Sequence, residues 1–590
     1  MSGAKVKADI PKEIDKNLGN YPELLRKLLF YRNITDSAAA EEFLNPAYKP
    51  YDPFLMKGMK EGVSRLLKAF KDDERITIFS DYDADGIPGA VVVHDFLKKI
   101  GYKNFDVYIP NRHSEGFGLN EGAIKEIAGR GTKLIITVDC GIADAKEVKL
   151  ANSLKMEVIV TDHHTPTGGI PKAAAVIDPK QAGCEYPDKN LCGSGVAFKF
   201  VEATLAALRL ESSPSTVALG ASKLPLGWEK WLLDMVGIAT LSDMVPLTGE
   251  NRMFAKFGLA VLRKSPRPGL NALFSAVRIN RRNLTEDDIV FSISPRINAA
   301  SRMGDPMEAF KLLTTTDEVE AIMLAKGLEK LNNERKGVVA GIIKEIKHTA
   351  KDRNFGEKKV IVIGKPDWKP SLLGLVAGNI AEEYDKPVFL WGRDTDKILK
   401  GSCRGGGGIN VLELMEKAKD VFLEFGGHAG AGGFSVSFEE IHRLEKDLES
   451  AVLKCSALSD DSNDSVADAV LRLSELDGNI ISDLEKLSPF GEGNPKPLFL
   501  IDRTPIESVR RFGKNNIHTA LRFQRDDPSS RAELTTGRGM DTIEAISFFT
   551  TPEDWKRPVN VGSEVSLLAH VEQSFFAGRR EVRLRIVDVL

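Results

Sequence analysis

At 590 residues the chain is too long for one hydrophobic core, so about three or four domains are expected. Its 42% hydrophobic and 28% charged residues fit a globular protein, and a net charge of −3 excludes a global basic field for polyanions. No run of about 18 apolar residues offers a helical membrane span, and the five cysteines (Cys140, Cys184, Cys192, Cys403, Cys455) lack the C-x-x-C spacing of a zinc site or a disulfide framework.

A helical lead-in is expected over residues 1–70. Met1-Ser2-Gly3-Ala4-Lys5 is followed by no apolar signal core, so the expected location is a reducing cytoplasm. Residues 71–316 alternate strand and helix. Ile76-Thr77-Ile78-Phe79, Leu134-Ile135-Ile136-Thr137-Val138 and Val158-Ile159-Val160-Thr161 are short, unbroken apolar runs, as strands buried on both faces of a parallel sheet are. Helical stretches such as Ala90–Lys99 and Ala143–Leu154 separate them. Residues 251–302 hold ten Lys/Arg against three acids, which makes either a solvated surface or a phosphate-tracking wall. Leu328, Leu331, Val338, Ile342 and Ile346 predict one long linking helix over 317–350. Residues 351–455 form a smaller α/β domain that starts with the strand Val360–Ile363 and carries glycine runs at Gly405–Gly408 and Gly426–Gly433. Ser456–Ser465 reads as an acidic linker. Alternation in Thr519–Phe523 and Glu581–Ile586 predicts a small β-barrel over 466–590.

The chemistry concentrates where the strands end. The first run leads into Ser80-Asp81-Tyr82-Asp83-Ala84-Asp85-Gly86, the second into Asp139, and the third into Asp162-His163-His164. Acids at alternate positions of an extended chain face the same way and repel unless a cation neutralises them. Carboxylates with an imidazole suit a hard divalent ion such as Mn²⁺ or Mg²⁺. Alone, the first motif is equally well an acidic turn or an N-cap cluster. Ligands of parallel sheets gather at the carboxyl ends of the strands, so Asp83, Asp85, Asp139 and His163 are expected to converge. Asp243, after the apolar run Met235–Leu241, is a further candidate.

In this order the motifs resemble the DHH phosphoesterase superfamily, and within it the RecJ exonucleases. Ile109-Pro110-Asn111-Arg112 with Glu115–Asn120, Leu191–Lys199, Ser242–Leu247, Ser294–Arg302, Gly426-Gly427-His428, Leu487–Pro495 and Arg580–Leu590 carry the match over nearly the whole chain. The resemblance implies an α/β fold: a parallel-sheet DHH catalytic domain, the linking helix, a DHH-associated domain and an OB-like barrel. It implies a metal-dependent 5′→3′ exonuclease that degrades single-stranded DNA to 5′-mononucleotides in repair and recombination. A single-strand-binding protein or a helicase would be its partners, and no membrane is involved. Residue by residue, Asp139 would bridge two Mn²⁺ or Mg²⁺ ions. Asp85, His163 and Asp243 would complete one site and Asp83 would anchor the other. His164 would donate to the scissile phosphate, or else support the metal site from behind. Asp81 and Asp162 would be outer residues or caps. Arg112, Ser402 and Arg404 would hold the 5′-phosphate, and Arg296, Arg302 and His428 would contact the strand.

The chain departs from the family pattern at Phe79, where many DHH enzymes have histidine, and at Pro88, Ser301 and Lys369. Phe79 leaves the first site one ligand short. Two other readings share these motifs: a DHH phosphodiesterase of short oligonucleotides, and a non-catalytic single-strand-binding scaffold. The first usually lacks an OB-like tail, and the second should have lost metal ligands.

Overall fold

The computed structural model describes residues 5–166, 168–210, 219–395, 397–455, 466–513, 516–525, 542–555, 557–576 and 579–590; the expected linker 456–465 lies outside them. The chain divides into two compact units, Tyr51–Val245 with Phe257–Asp461, and Met1–Pro50 with Pro246–Lys256 and Ser462–Leu590.

The larger unit holds two sheets. The first comprises β1 (Ile76–Ser80), β2 (Phe105–Tyr108), β3 (Leu134–Val138), β4 (Glu157–Thr161) and β5 (Ala175–Ile177) in the order β2–β1–β3–β4–β5, with every pairing parallel. β1 and β3 are buried at every position, which is why their sequences do not alternate. Their threonines are tolerated because each hydroxyl is bonded: Thr77 to Asp106 and Thr137 to the Cys140 carbonyl, both at 2.7 Å. The helix Gly86–Ile100 packs on Gly193–Leu210 and Leu233–Ser242 beside this sheet.

A π-helical turn, Ile289–Ile293, leads into the helix Ser294–Met303. The helix Glu318–Thr349 then runs for 32 residues, about 48 Å. Its first half buries Ala321, Ala325, Leu328 and Asn332 and packs on the helices Pro268–Ala276, Ser294–Met303 and Met307–Thr314. Its second half buries Ile342 and Ile346 and packs with Pro370–Tyr384. It therefore joins the two sheets of this unit. The second sheet contains β6 (Ile361–Gly364), β7 (Val388–Arg393), β8 (Ile398–Arg404), β9 (Glu424–His428) and β10 (Ala431–Ser437), in the order β6–β7–β8–β10–β9. Only β6 and β7 pair in parallel.

In the smaller unit β11 (Ala469–Leu471) lies parallel to β12 (Phe499–Phe512), which is followed by β13 (His518–Gln524), β14 (Thr542–Ser547), β15 (Glu564–Phe576) and β16 (Arg579–Val589). The order β12–β13–β14–β16–β15 closes back onto β12, forming a five-stranded barrel. β12 serves both of its barrel neighbours, β13 and β15, by bending at register shifts between Ile501 and Thr504 and between Ile506 and Ser508.

The expected lead-in 1–70 divides. The helix Met59–Lys71 belongs to the larger unit, while Leu18, Leu25, Leu28 and Leu29 enter one core with Phe499, Leu521, Phe523 and Leu567 of the barrel. The helix Glu23–Phe30 has a narrow leucine face, and in its unit the barrel core covers that face. Lys7 pairs with Asp468 at 2.7 Å, fastening the start of the chain beside β11.

Candidate active site

Each acid motif begins where its strand leaves the sheet, and each is held there by the next strand. Asp81 N donates to the Val138 carbonyl, Asp139 N to Thr161 and Asp162 N to Ile177, at 3.0–3.1 Å. Asp139 has φ of +61°, a left-handed conformation that costs a non-glycine residue energy and marks functional turns. Gly193 lets the neighbouring helix start against it; a Cβ there would stand 2.5 Å from the Asp139 carboxylate. That helix start also fixes Asp85, whose carboxylate accepts from Gly193 N at 2.6 Å and Ser194 N at 2.7 Å. Asp83 Oδ1 accepts from the backbone N–H groups of Asp85 and Gly86, and Ala84 N donates to Asn298. Asp243 arrives differently, as the residue that caps the carboxyl end of the helix Leu233–Ser242.

These groups converge. Three sets of ligand-competent atoms lie within 4.8 Å of one another: Asp85, His163 and Asp243; Asp139, His163 and His164; and Asp81, Asp83 and Asp139. His163 Nε2 stands 3.1 Å from Asp139 Oδ1, 3.7 Å from Asp243 Oδ2 and 3.9 Å from Asp85 Oδ2. Asp139 Oδ1 and Asp81 Oδ1 are buried without a hydrogen bond, so these oxygens point toward a shared space instead of toward donors. Burial, then the charges of Asp85, Asp83, Asp81 and Asp243, push the Asp139 carboxyl well above its ordinary range. Burial and Asp85 push Asp243 up to about 9. Burial and the neighbouring His164 lower His163 to about 3, leaving a neutral imidazole with a free lone pair. Crowded carboxylates that resist ionising, beside a neutral histidine, fit a pair of hard divalent cations.

His164 faces the opposite constraint. Burial alone would lower it, but its hydrogen bond to Asp162 at 2.7 Å and the charges of Asp162, Asp243 and Asp85 hold it protonated, up to about 9. Asp162 points away from the cluster. It accepts from Ile142 N, His163 N, His164 N and the His164 ring, so it anchors the motif. Asp81, expected as an outer residue or cap, lies within 4.8 Å of Asp83 and Asp139 in the third set. Phe79, one of the departures from the family pattern, is buried and stacked on Tyr108.

A wall of cations adjoins this centre. The Arg112 guanidinium lies over the Tyr82 ring at 4.8 Å. Arg302 donates to the Ser371 carbonyl at 2.9 Å. Burial lowers the Arg302 guanidinium to about 10, with the charges of Arg112, Arg335 and Arg404 adding to the effect and Asp83 opposing it. On the second sheet Ala431 pairs with Arg404 on one side and His428 on the other, and Ser402 lies two residues before Arg404. Directly opposed residues share a face, as do alternate ones, so Ser402, Arg404 and His428 are presented together. The Arg404 guanidinium sits against Gly374 of the helix Pro370–Tyr384.

Arg296 does not join them. It is buried, donates to Glu329 at 2.6 Å and to the Ser292 carbonyl at 2.6 Å, and so pins the helix Ser294–Met303 to the long helix. In this structure its guanidinium is thus engaged within the protein, a commitment that charge in the sequence does not reveal. Arg335, which the sequence reading overlooked, has a buried Nε with no hydrogen bond and stands in the electrostatic field of Arg302 and Arg296. It lies 33 residues beyond Arg302 in sequence, so only the helix packing brings the two together. Lys369, at the residue that departs from the family pattern, contributes positive charge beside His113.

The chain is similar to known proteins over nearly its whole length. Residues 75–222 match the DHH family N-terminal domain, 357–454 the DHHA1 domain and 467–588 the RecJ OB domain. The single-stranded-DNA-specific exonuclease RecJ of Bacillus subtilis is 33% identical over 567 residues, covering 96% of this chain and 67% of that protein. The Escherichia coli protein of the same name is 30% identical over 590 residues, covering 99% and 97%. The crystal structure of RecJ in complex with Mn²⁺ from Thermus thermophilus superposes with a TM-score of 0.78 at 27% identity, covering 99% of this chain and 79% of that one. The chain belongs to the RecJ family.

Proposed function

We propose that the chain is a metal-dependent exonuclease that degrades single-stranded DNA from its 5′ end to mononucleotides. The observation that carries this reading is the meeting of three ligand sets on Asp139 and His163 beside a wall of arginines. Asp85, His163 and Asp243 would hold one divalent ion and Asp83 with Asp81 the other, with Asp139 within reach of both sets. When bound, such ions lower the pKa of a water and neutralise charge that develops on the phosphate. His164, kept cationic by Asp162, donates a hydrogen bond to a non-bridging oxygen of the scissile phosphate. Arg112, Ser402 and Arg404 receive the terminal phosphate; a guanidinium offers forked donors to its oxygens. Arg302 and His428 hold the following backbone.

A hydrolase of short oligonucleotides would share the first two domains, but the closed barrel adds a surface of the kind that binds longer strands. A scaffold without catalysis would not keep the whole donor set. All five cysteines are free, which suits a reducing cytoplasm, and among the described residues no helix is long and apolar enough to cross a membrane. A single-strand-binding protein and a helicase, which coat and expose such strands, are the expected partners. The test is incubation of the protein and Mn²⁺ with 5′- and 3′-labelled single strands. Stepwise release of the 5′ label as a mononucleotide supports the reading; release from the 3′ end first, or no cleavage, removes it.

A further inference from the structure

Phe117 is 53% exposed, and its ring stands edge-to-face with His164 at 5.7 Å between centroids. The loop around it is built to keep the ring there. Gly116 and Gly118 have φ of +82° and +75°, and a Cβ on Gly118 would come within 2.7 Å of the Asp144 carboxylate. Beyond it, Leu119 N donates to Asp144 at 2.8 Å. Before it, Glu115 accepts from the Tyr108 hydroxyl at 2.5 Å and from Asn111 N at 2.6 Å. Both ends of the Glu115–Leu119 segment are thus tied down and Leu119 is buried, while the Phe117 ring is left exposed beside the histidine assigned to the scissile phosphate. None of the metal or phosphate roles above uses this segment.

We propose that Phe117 is a stacking platform for a nucleobase that flanks the scissile phosphate, an inference that rests on the single-strand nuclease reading. Every base has a π face, so the platform tolerates any sequence. A base within a duplex has both faces covered by its neighbours, so the same contact favours single strands.

The experiment compares kcat/KM for wild type, Phe117→Ala, Phe117→Leu and Phe117→Trp at saturating Mn²⁺. The substrates are three 5′-phosphorylated single strands: one unmodified, one abasic at the first nucleotide and one abasic at the second. On the unmodified strand Phe117→Ala and Phe117→Leu lose on the order of ten- to a hundredfold, as base–aromatic stacking predicts, and Phe117→Trp stays near wild type. At one of the two abasic positions the wild type falls to the level of Phe117→Ala, and the substitution costs nothing more. Equal losses on all three strands, or full activity in Phe117→Leu, overturn the proposal and leave Phe117 as a packing support for His164. If alanine disturbs the loop, the tryptophan variant decides alone: an advantage over leucine that survives on both abasic strands is equally fatal. Wild-type protein that cleaves none of the strands removes the nuclease reading and the proposal together, an outcome distinct from the others.

Discussion

Replacing Arg302 by methionine should stabilise the metal-free protein and at the same time weaken its grip on a single strand. In the folded state the Arg302 guanidinium is lowered from the ordinary arginine value to about 10, by burial first and then by Arg112, Arg335 and Arg404, partly offset by Asp83. At 1.36 kcal/mol per pH unit this is about 3 kcal/mol of unfavourable charge. Methionine removes the charge and keeps the apolar stem. It also gives up the charged hydrogen bond to the Ser371 carbonyl, which costs about 2 kcal/mol. The net gain is about 1 kcal/mol. For a unit on the order of 400 residues, with an unfolding entropy near 2.1 cal/mol/K per residue, its thermal transition rises by roughly 1 °C. Calorimetry of both proteins, alone and with a 5′-phosphorylated oligonucleotide, tests the pair of effects. The strand should raise the wild-type transition more than that of the variant, because the polyanion relieves a repulsion the variant no longer has. A variant that melts below wild type and binds the strand as tightly would show Arg302 to be a structural pin to Ser371, and the reasoning from crowded cations would fail.

Asp139→Asn should lose on the order of a thousandfold in turnover, and Mn²⁺ should no longer raise its melting temperature; asparagine is the better probe because it tolerates the left-handed backbone at this residue. Arg404→Ala should lower kcat/KM by about ten- to a hundredfold on a strand with a 5′-phosphate and by less on one with a 5′-hydroxyl; equal losses would mean that Arg404 does not read the end. Asp95 is buried, which would raise its carboxyl, but His94 and Arg267, the latter at 2.6 Å, hold it below the ordinary range. A lowered folded value stabilises above the unfolded carboxylate pKa of about 3.9 and is lost as pH falls through the folded value. Asp95→Asn should therefore be less stable than wild type near pH 6 in urea titrations and show a flatter decline below about pH 4.

Strands buried on both faces were legible because nothing in them alternates, and their ends were marked by acids. The sheet edge at which Asp83, Asp85, Asp139 and His163 meet followed from that alone. Asp243 was harder to place: the run before it is buried all round as a helix, and a fully apolar segment carries no period. Asp81 and Asp162 are both strand-end acids, yet one faces the cluster and the other turns back to four donors, a difference set by local hydrogen bonds. Arg296 and Arg335 show the same limit for cations. The sequence displays their charge, but only the packing of two helices reveals that Glu329 engages the first while the second keeps an unpaired Nε. The leucine stripe of Glu23–Phe30 lay unread within the expected helical lead-in, as did the surface that covers it.

That stripe has a consequence for how the protein is made. Leu18, Leu25, Leu28 and Leu29 leave the ribosome well before the barrel strands that cover them. At roughly 5–20 residues per second, about half a minute to two minutes separates the two events. Throughout that time the nascent chain carries an uncovered apolar helix while the larger unit, complete by Asp461, is free to fold. A ribosome stalled before β12 would therefore hold a folded larger unit tethered to an adhesive amino-terminal segment, a natural client for a chaperone that binds exposed leucine faces.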